Sequence, residues 1–267
     1  MCYHVRRPTE EELYNYVNST NFAMEYRWEA DFTITHEYPG LLDANGFAHP
    51  HLPVLLNTDS HNIQYVKWGF LPGKVKDEAA VKDFYIKYTG GLNCKGDEAF
   101  NGKLYKQAII GQRCIVLTPN FYENRHQAPS GKKTPIKYPF KIGQRGKTMN
   151  ALAAVWNDCY IEATGEVRRV LSVVTTVANE AMAIVHNSKL RMPAYVRAEH
   201  FGLWLSPDPL TKEEVDTVIV PAENKEMSIV PIDKSFNAQK KDPNQPIIEY
   251  EYPELKEALQ ELHDLQA

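Results

Sequence analysis

The stretch Ala108-Ile109-Ile110-Gly111-Gln112-Arg113-Cys114-Ile115-Val116-Leu117 carries the firmest fold signal in this 267-residue chain. It is an apolar, β-branched run, which predicts a buried strand. Val170–Thr176 reads the same way. Working outward, Gln64–Phe70, Lys137–Ile142 and Val155–Ile161 are further strand candidates, Glu162–Val167 is a turn, and Pro193–Val196 leads into another strand. Helices are expected at Thr9–Asn18, capped by Thr9, at Ala79–Tyr88, ended by Gly90-Gly91, and at Asn179–Val185. Pro253–Leu265 places Leu255, Leu259, Leu262 and Leu265 at helical spacing. Residues 36–64, rich in Pro, Gly, Asn and His, read as loop with short strands. Short strands with scattered helices and no regular βαβ alternation specify an α+β fold.

Composition bounds the function. Hydrophobic residues make up 43% and charged residues 24%, which excludes an intrinsically disordered chain and leaves ample core material. No apolar run approaches the ~20 residues of a membrane span, and the N-terminus lacks a signal peptide's apolar stretch. Cys2, Cys94, Cys114 and Cys159 lie far apart without a CxxC pair, so reduced thiols in a cytoplasmic protein are expected. The net charge of −4 is unevenly spread: residues 61–150 hold 16 Lys and Arg against 6 Asp and Glu. A basic middle third inside an acidic chain suits a phosphate-tracking surface, and equally a chance cluster of surface lysines. Tyr65, Trp68, Phe70, Tyr85, Tyr88, Phe121 and Tyr122 interleave with those charges as candidate base-stacking rings, most of them expected in the core.

Several motifs fail. Gly143–Thr148 ends like a phosphate-binding loop but has Lys141 where that loop needs its first glycine. His49-Pro50-His51 has no third ligand at metal spacing, so no metal and no organic cofactor is expected.

Cys2 carries the chemistry. With Met1 removed, it presents a free α-amine and a thiol on adjacent carbons. The amine, with a pKa of about 7.7–8.0, is partly unprotonated near neutrality. It can condense with an aldehyde, after which the thiol closes a five-membered thiazolidine. The same pair also suits a thiol nucleophile with a local base; position alone favours an unremarkable second residue.

Further segments follow in order: Trp68-Gly69-Phe70-Leu71-Pro72, Leu92-Asn93, Arg113-Cys114-Ile115-Val116, Phe121-Tyr122-Glu123, Val174–Glu180, and His186 ahead of Arg191-Met192-Pro193. With Met1-Cys2 they resemble the SRAP (SOS response-associated peptidase) family from residue 1 to about Leu205, and more weakly over Met227–Phe236. The resemblance implies a single α+β domain over residues 1–236 with a barrel-like mixed β core flanked by short helices, and a C-terminal extension, 237–267, bearing a helix. It implies a monomer that binds single-stranded DNA containing abasic sites and forms a thiazolidine crosslink through Cys2, in the cytoplasm and on the nucleoid after damage. Asn93 would position the Cys2 backbone, Glu123 would hold the amine and assist Met1 removal, and His186 would shuttle protons for sugar opening and crosslink reversal. Trp68, Lys95, Arg113 and Arg191 would contact DNA. A thiol autopeptidase acting on proteins, or a non-catalytic DNA reader, are the alternative functions.

The chain departs from the family around this set. Tyr3-His4 replaces the usual Gly-Arg, Lys95 replaces an arginine and so lacks its bidentate fork, Asn124 replaces a large aromatic, and four residues separate His186 from Arg191.

Overall fold

The computed structural model describes residues 2–19, 22, 33–34, 43–128, 134–237 and 247–267. Met1 and residues 36–42, which carry the processing expectation and part of the expected loop, lie outside them. In chain order the strands are β1 (His4–Arg6), β2 (Thr33–Ile34), β3 (Asp43–Asn45), β4 (His51–Leu56), β5 (Asp59–Trp68), β6 (Lys74–Val75) and β7 (Asn93–Lys95). They continue as β8 (Arg113–Thr118), β9 (Phe121–Gln127), β10 (Ile136–Gln144), β11 (Asn150–Ile161), β12 (Glu166–Val177), β13 (Arg191–Pro193) and β14 (Met227–Pro231).

Neighbouring strands β12-β11-β8-β4-β5 are hydrogen-bonded in that order, and β5 returns to β12 through the parallel pairs Lys67↔Val170 and Trp68↔Leu171. That return closes a five-stranded barrel, as the resemblance implies. A second, five-stranded sheet runs β14-β10-β9-β1-β3. Side chains alternate along each barrel strand. Leu52, Val54, Cys114, Val116, Leu152, Ala154, Leu171 and Val173 join Cys2, Val5, Phe121 and Phe140 in one buried cluster. Their neighbours Leu55, Ile115, Leu117, Ala153, Val155 and Val174 point the other way, under Leu13, Ile109, Phe201, Trp204 and Val215 of the covering helices. Both faces are dry, which is why Cys114–Leu117 reads as one unbroken apolar run.

The expected strand from Ala108 is corrected at its start: Lys106–Gly111 is a helix and the strand begins at Arg113. Tyr105, Ala108 and Ile109 stand at i, i+3, i+4 and pack together in the second cluster, so helical spacing decides a segment that β propensity alone misreads. The first helix, Glu10–Val17, has the full capping box between Thr9 and Glu12. Asn179 caps Glu180–Val185 by accepting from the Met182 amide. Glu78–Lys87 ends ahead of Gly90-Gly91, and a Cβ on Gly91 would sit 2.3 Å from the Phe70 carbonyl oxygen, so only glycine permits that crossing.

The C-terminal helix spans Lys256–Gln266 behind a single 3₁₀ turn, Pro253–Leu255. Gln266 Nε2 donates to the Met227 carbonyl (2.7 Å) and Arg145 donates to the Gln266 carbonyl. The segment is thereby pinned beside β14. No helix among the described residues is long and apolar enough to cross a membrane.

Candidate active site

Strand β1 sets Cys2. Val5 pairs with Ala44 on one side and Phe121 on the other, which threads the N-terminal residues between β3 and β9. Cys2 itself is wholly buried. Asn93, at the start of β7, is held across from Val173 of β12. Its side-chain amide grips the Cys2 backbone at two points: Oδ1 accepts from the Cys2 nitrogen (3.0 Å) and Nδ2 donates to the Cys2 carbonyl (2.9 Å). The amide acts here as a neighbouring strand would, fixing where the Cys2 nitrogen points.

Glu123 is the third residue of β9 and is 7% exposed. Burial raises its carboxyl pKa to about 7, so the group exchanges a proton near neutrality. Its charge reaches Cys2, whose thiol is pushed well above its ordinary value by burial first and by Glu123 second. His186 caps the end of helix Glu180–Val185. Its Nδ1 lies 2.8 Å from the Arg191 carbonyl; a carbonyl only accepts, so Nδ1 carries the hydrogen and Nε2 is left as the basic nitrogen. Nε2 stands 4.0 Å from Glu123 Oε2. Burial lowers the imidazole pKa to about 4, so this is a neutral base facing an acid poised near 7. Transfer from Glu123 to His186 is uphill by about 3 pH units, about 4 kcal/mol, so the proton rests on Glu123 and passes downhill only from a protonated His186 to the Glu123 carboxylate.

The structure therefore brings Cys2, Asn93, Glu123 and His186 together from four separate segments. The loop after His186 is anchored by two reciprocal bonds: the His126 amide donates to Asn187 Oδ1 (3.0 Å) and Asn187 Nδ2 donates to the His126 carbonyl (2.8 Å). Leu190 closes it with a left-handed φ of 53° and donates its amide to the His186 carbonyl. The four-residue spacer is thus an ordered clamp between β9 and β13, and sequence spacing alone showed no such partner.

Three of the four expected DNA contacts, Trp68, Arg113 and Arg191, are buried. Trp68 is fully buried, and its indole N–H donates to the Leu92 carbonyl (2.8 Å); it is core rather than a stacking platform. Phe70, Phe121 and Tyr122 are likewise buried. Arg113 is 0% exposed. It donates to the carbonyls of Trp204, Ile110, Ser206 and Asp208, a structural tie with no face for a phosphate. Arg191 is buried and spent on both oxygens of Asp97 and on Thr175. Lys95 is exposed and sits beside Glu98 (2.9 Å). Near Cys2, the half-buried Tyr3, which with His4 replaces the family's Gly-Arg, packs on exposed Phe47, ring centroids 5.1 Å apart; Phe47 does not stand out in the sequence.

Among solved structures, a Bacteroides thetaiotaomicron protein superposes with a TM-score of 0.67 at 28% identity, covering 77% of this chain and 83% of its own. Among curated proteins, Abasic site processing protein YoaM of Bacillus subtilis is 23% identical over 187 residues, 70% of this chain and 75% of that one. Abasic site processing protein HMCES of Gallus gallus is 26% identical over 192 residues, 66% of this chain but only 54% of the relative. The SOS response associated peptidase (SRAP) family matches residues 1–239, and with the same barrel and the same ordered segments in place, this chain belongs to that family.

Proposed function

We propose that this protein captures abasic sites in single-stranded DNA by forming a thiazolidine through Cys2 once Met1 is removed. The observation that carries the reading is the two-point grip of Asn93 on Cys2 beside a paired Glu123 and His186. An abasic deoxyribose exists mostly as a closed hemiacetal. Opening it takes the C1′ hydroxyl proton onto a base and returns a proton to the ring oxygen. Neutral His186 Nε2 suits the first step and protonated Glu123 the second. The Cys2 amine then adds to the aldehyde carbon, and the carbinolamine loses water as Glu123 protonates the departing hydroxyl. The thiol adds across the resulting C=N bond: sulfur bonds to carbon, the π pair goes to nitrogen, and the thiol proton passes through Glu123 to that nitrogen. One water is lost overall, and no redox partner or metal is required.

Asn93 supports this sequence by holding the nitrogen in one orientation for both additions. The basic middle third of the chain supplies charge for the phosphates, so binding should weaken steeply with salt. The test is a denaturing gel of the Met1-free protein with a single-stranded oligonucleotide carrying one abasic site. A band shifted only with wild type, and only with damaged DNA, is expected. Loss of the shift in Cys2→Ala with retained salt-sensitive binding fits the same reading. No shift from protein whose intact mass shows Met1 absent would overturn it.

A further inference from the structure

The helix that ends at His186 is short, Glu180–Val185, and the carbonyls of a helix's last turn find no partner inside it. The Ile184 carbonyl, two residues before His186, accepts from the guanidinium of Arg125 on β9. A cation suits that end of a helix, where the dipole is negative. Arg125 stands two residues after Glu123, so the two side chains leave the same face of β9. Residues 123–126 of the strand thereby meet residues 184–187 in three ties. Glu123 faces His186 across 4.0 Å, Arg125 holds Ile184, and His126 exchanges two bonds with Asn187.

Arg125 is itself half-buried and is braced from beyond the family match, which ends at residue 239. Its Nε donates to Gln127 Oε1 (3.4 Å), and Gln127 Nε2 donates to the Glu254 carbonyl (3.2 Å) just ahead of the C-terminal helix. The carboxylate of Glu261, on that helix, favours the guanidinium against the burial that disfavours it. Leu255 and Leu262 of the same segment lie in one buried cluster with Ala181, Met182 and Val185 of the helix that ends at His186.

Resting on the crosslinking function above, we propose that Arg125 is a positioning residue for His186. Its bond to the Ile184 carbonyl fixes the end of the helix against β9, and with it the reach of His186 Nε2 toward Glu123 and the sugar hydroxyl. Arg125 neither gives nor takes a proton in this role. The C-terminal segment, by bracing Arg125 and packing on the same helix, is a working part of the site rather than an appendage to it.

The test compares two variants in the full chain freed of Met1. Arg125→Met keeps the stem and removes the donors, and Arg125→Lys keeps one cationic donor. The first measurement needs no DNA. Hydrogen exchange of the His186 and Leu190 amides, which donate to the Met182 and His186 carbonyls, should quicken about tenfold in Arg125→Met and stay within about threefold of wild type in Arg125→Lys. Unchanged exchange in Arg125→Met would overturn the hold on the helix, whether or not the protein crosslinks DNA.

The second measurement is the crosslinking rate at saturating single-stranded abasic DNA. It should fall about tenfold in Arg125→Met, short of the roughly hundredfold that a 1 Å misplacement can cost, because the His126–Asn187 tie remains. Lysine should restore it to within about threefold. Affinity for an undamaged strand, set by phosphate contacts, should stay within about twofold. So should the rate at which Cys2 captures propanal, an aldehyde with no ring to open. Weakened affinity with an unchanged saturated rate would make Arg125 a phosphate contact and overturn the proposal. Equal losses toward propanal and abasic DNA would also overturn it, since they place the defect at Cys2. Faster exchange in Arg125→Met, where wild type itself forms no crosslink, would leave Arg125 with the helix and remove only the DNA chemistry. If Arg125→Met does not fold, Arg125→Gln, with a neutral amide on a shorter stem, is read in its place.

Discussion

Replacing Glu123 with glutamine tests the electrostatics of the site directly. The carboxyl moves from an ordinary pKa of 4.5 in the unfolded chain to about 7 in the folded one, because burial penalises its charge. A group whose folded pKa lies above its unfolded value stabilises the fold relative to its ionised form at low pH and loses that stabilisation as pH rises. Here the loss begins near pH 4.5 and is complete just above pH 7. At about 1.4 kcal/mol per pH unit, it amounts to about 3 kcal/mol, an upper figure since the buried site can relax. Glutamine is isosteric and does not titrate. The stability of Glu123→Gln relative to wild type should therefore rise by about 3 kcal/mol between pH 4.5 and pH 7.5, then stay level. Urea unfolding followed by tryptophan fluorescence reads this as a midpoint difference that grows by about 1 M across the window, taking ~3 kcal/mol per M for a chain of this size. A difference that stays constant with pH would refute the claim that Glu123 is a buried acid near neutrality, and with it the proton-relay role.

Other outcomes follow from the same structure. His186→Gln should flatten the acid side of the stability profile: the imidazole pKa falls from 6.5 to about 4 on folding, so wild type loses stability as pH drops from 6.5 through 4, by about 3 kcal/mol. Urea midpoints at pH 4 and pH 7 check it, and equal acid limbs in the two proteins would contradict it. Arg113→Lys should lower stability by about 2–4 kcal/mol, because one ammonium cannot satisfy the carbonyls that the guanidinium spans. Calorimetry should show a Tm drop of about 5–12 °C with DNA affinity unchanged; loss of affinity at full stability would restore Arg113 as a DNA contact. Trp68→Phe removes the indole bond to the Leu92 carbonyl, which keeps its bond from the Val173 amide, and leaves a smaller ring in a fully buried site, so it should cost about 1–3 kcal/mol in urea unfolding, again with no change in DNA binding.

Much of the site was legible because its members sit in short ordered motifs: Cys2 by its place after Met1, Glu123 within Phe-Tyr-Glu, His186 ahead of Arg-Met-Pro. What sequence could not supply was burial. Trp68 and Arg113 are residue types that serve nucleic acid and core equally, and only the fold shows that both are buried, Trp68 in the cluster that fills the barrel and Arg113 under the segment that covers it. The start of the Ala108 run failed for a related reason. A short helix with one buried face and a buried strand look alike where their apolar positions run together, and the helix is set by what Tyr105, Ala108 and Ile109 touch.

The parallel seam that closes the barrel has a consequence for how the chain is made. Trp68 pairs with Leu171, so the two strands are separated by about a hundred residues of synthesis, and at ~5–20 residues per second that interval is about 5–20 s. Throughout it β5 presents an unpaired edge and the indole of Trp68 has no barrel to enter. Contacts this distant in sequence also slow the folding search itself. Nascent chains should therefore be most vulnerable to aggregation and most dependent on chaperones before β12 emerges, and synonymous changes that slow translation between these two strands should lower soluble yield without altering a single residue.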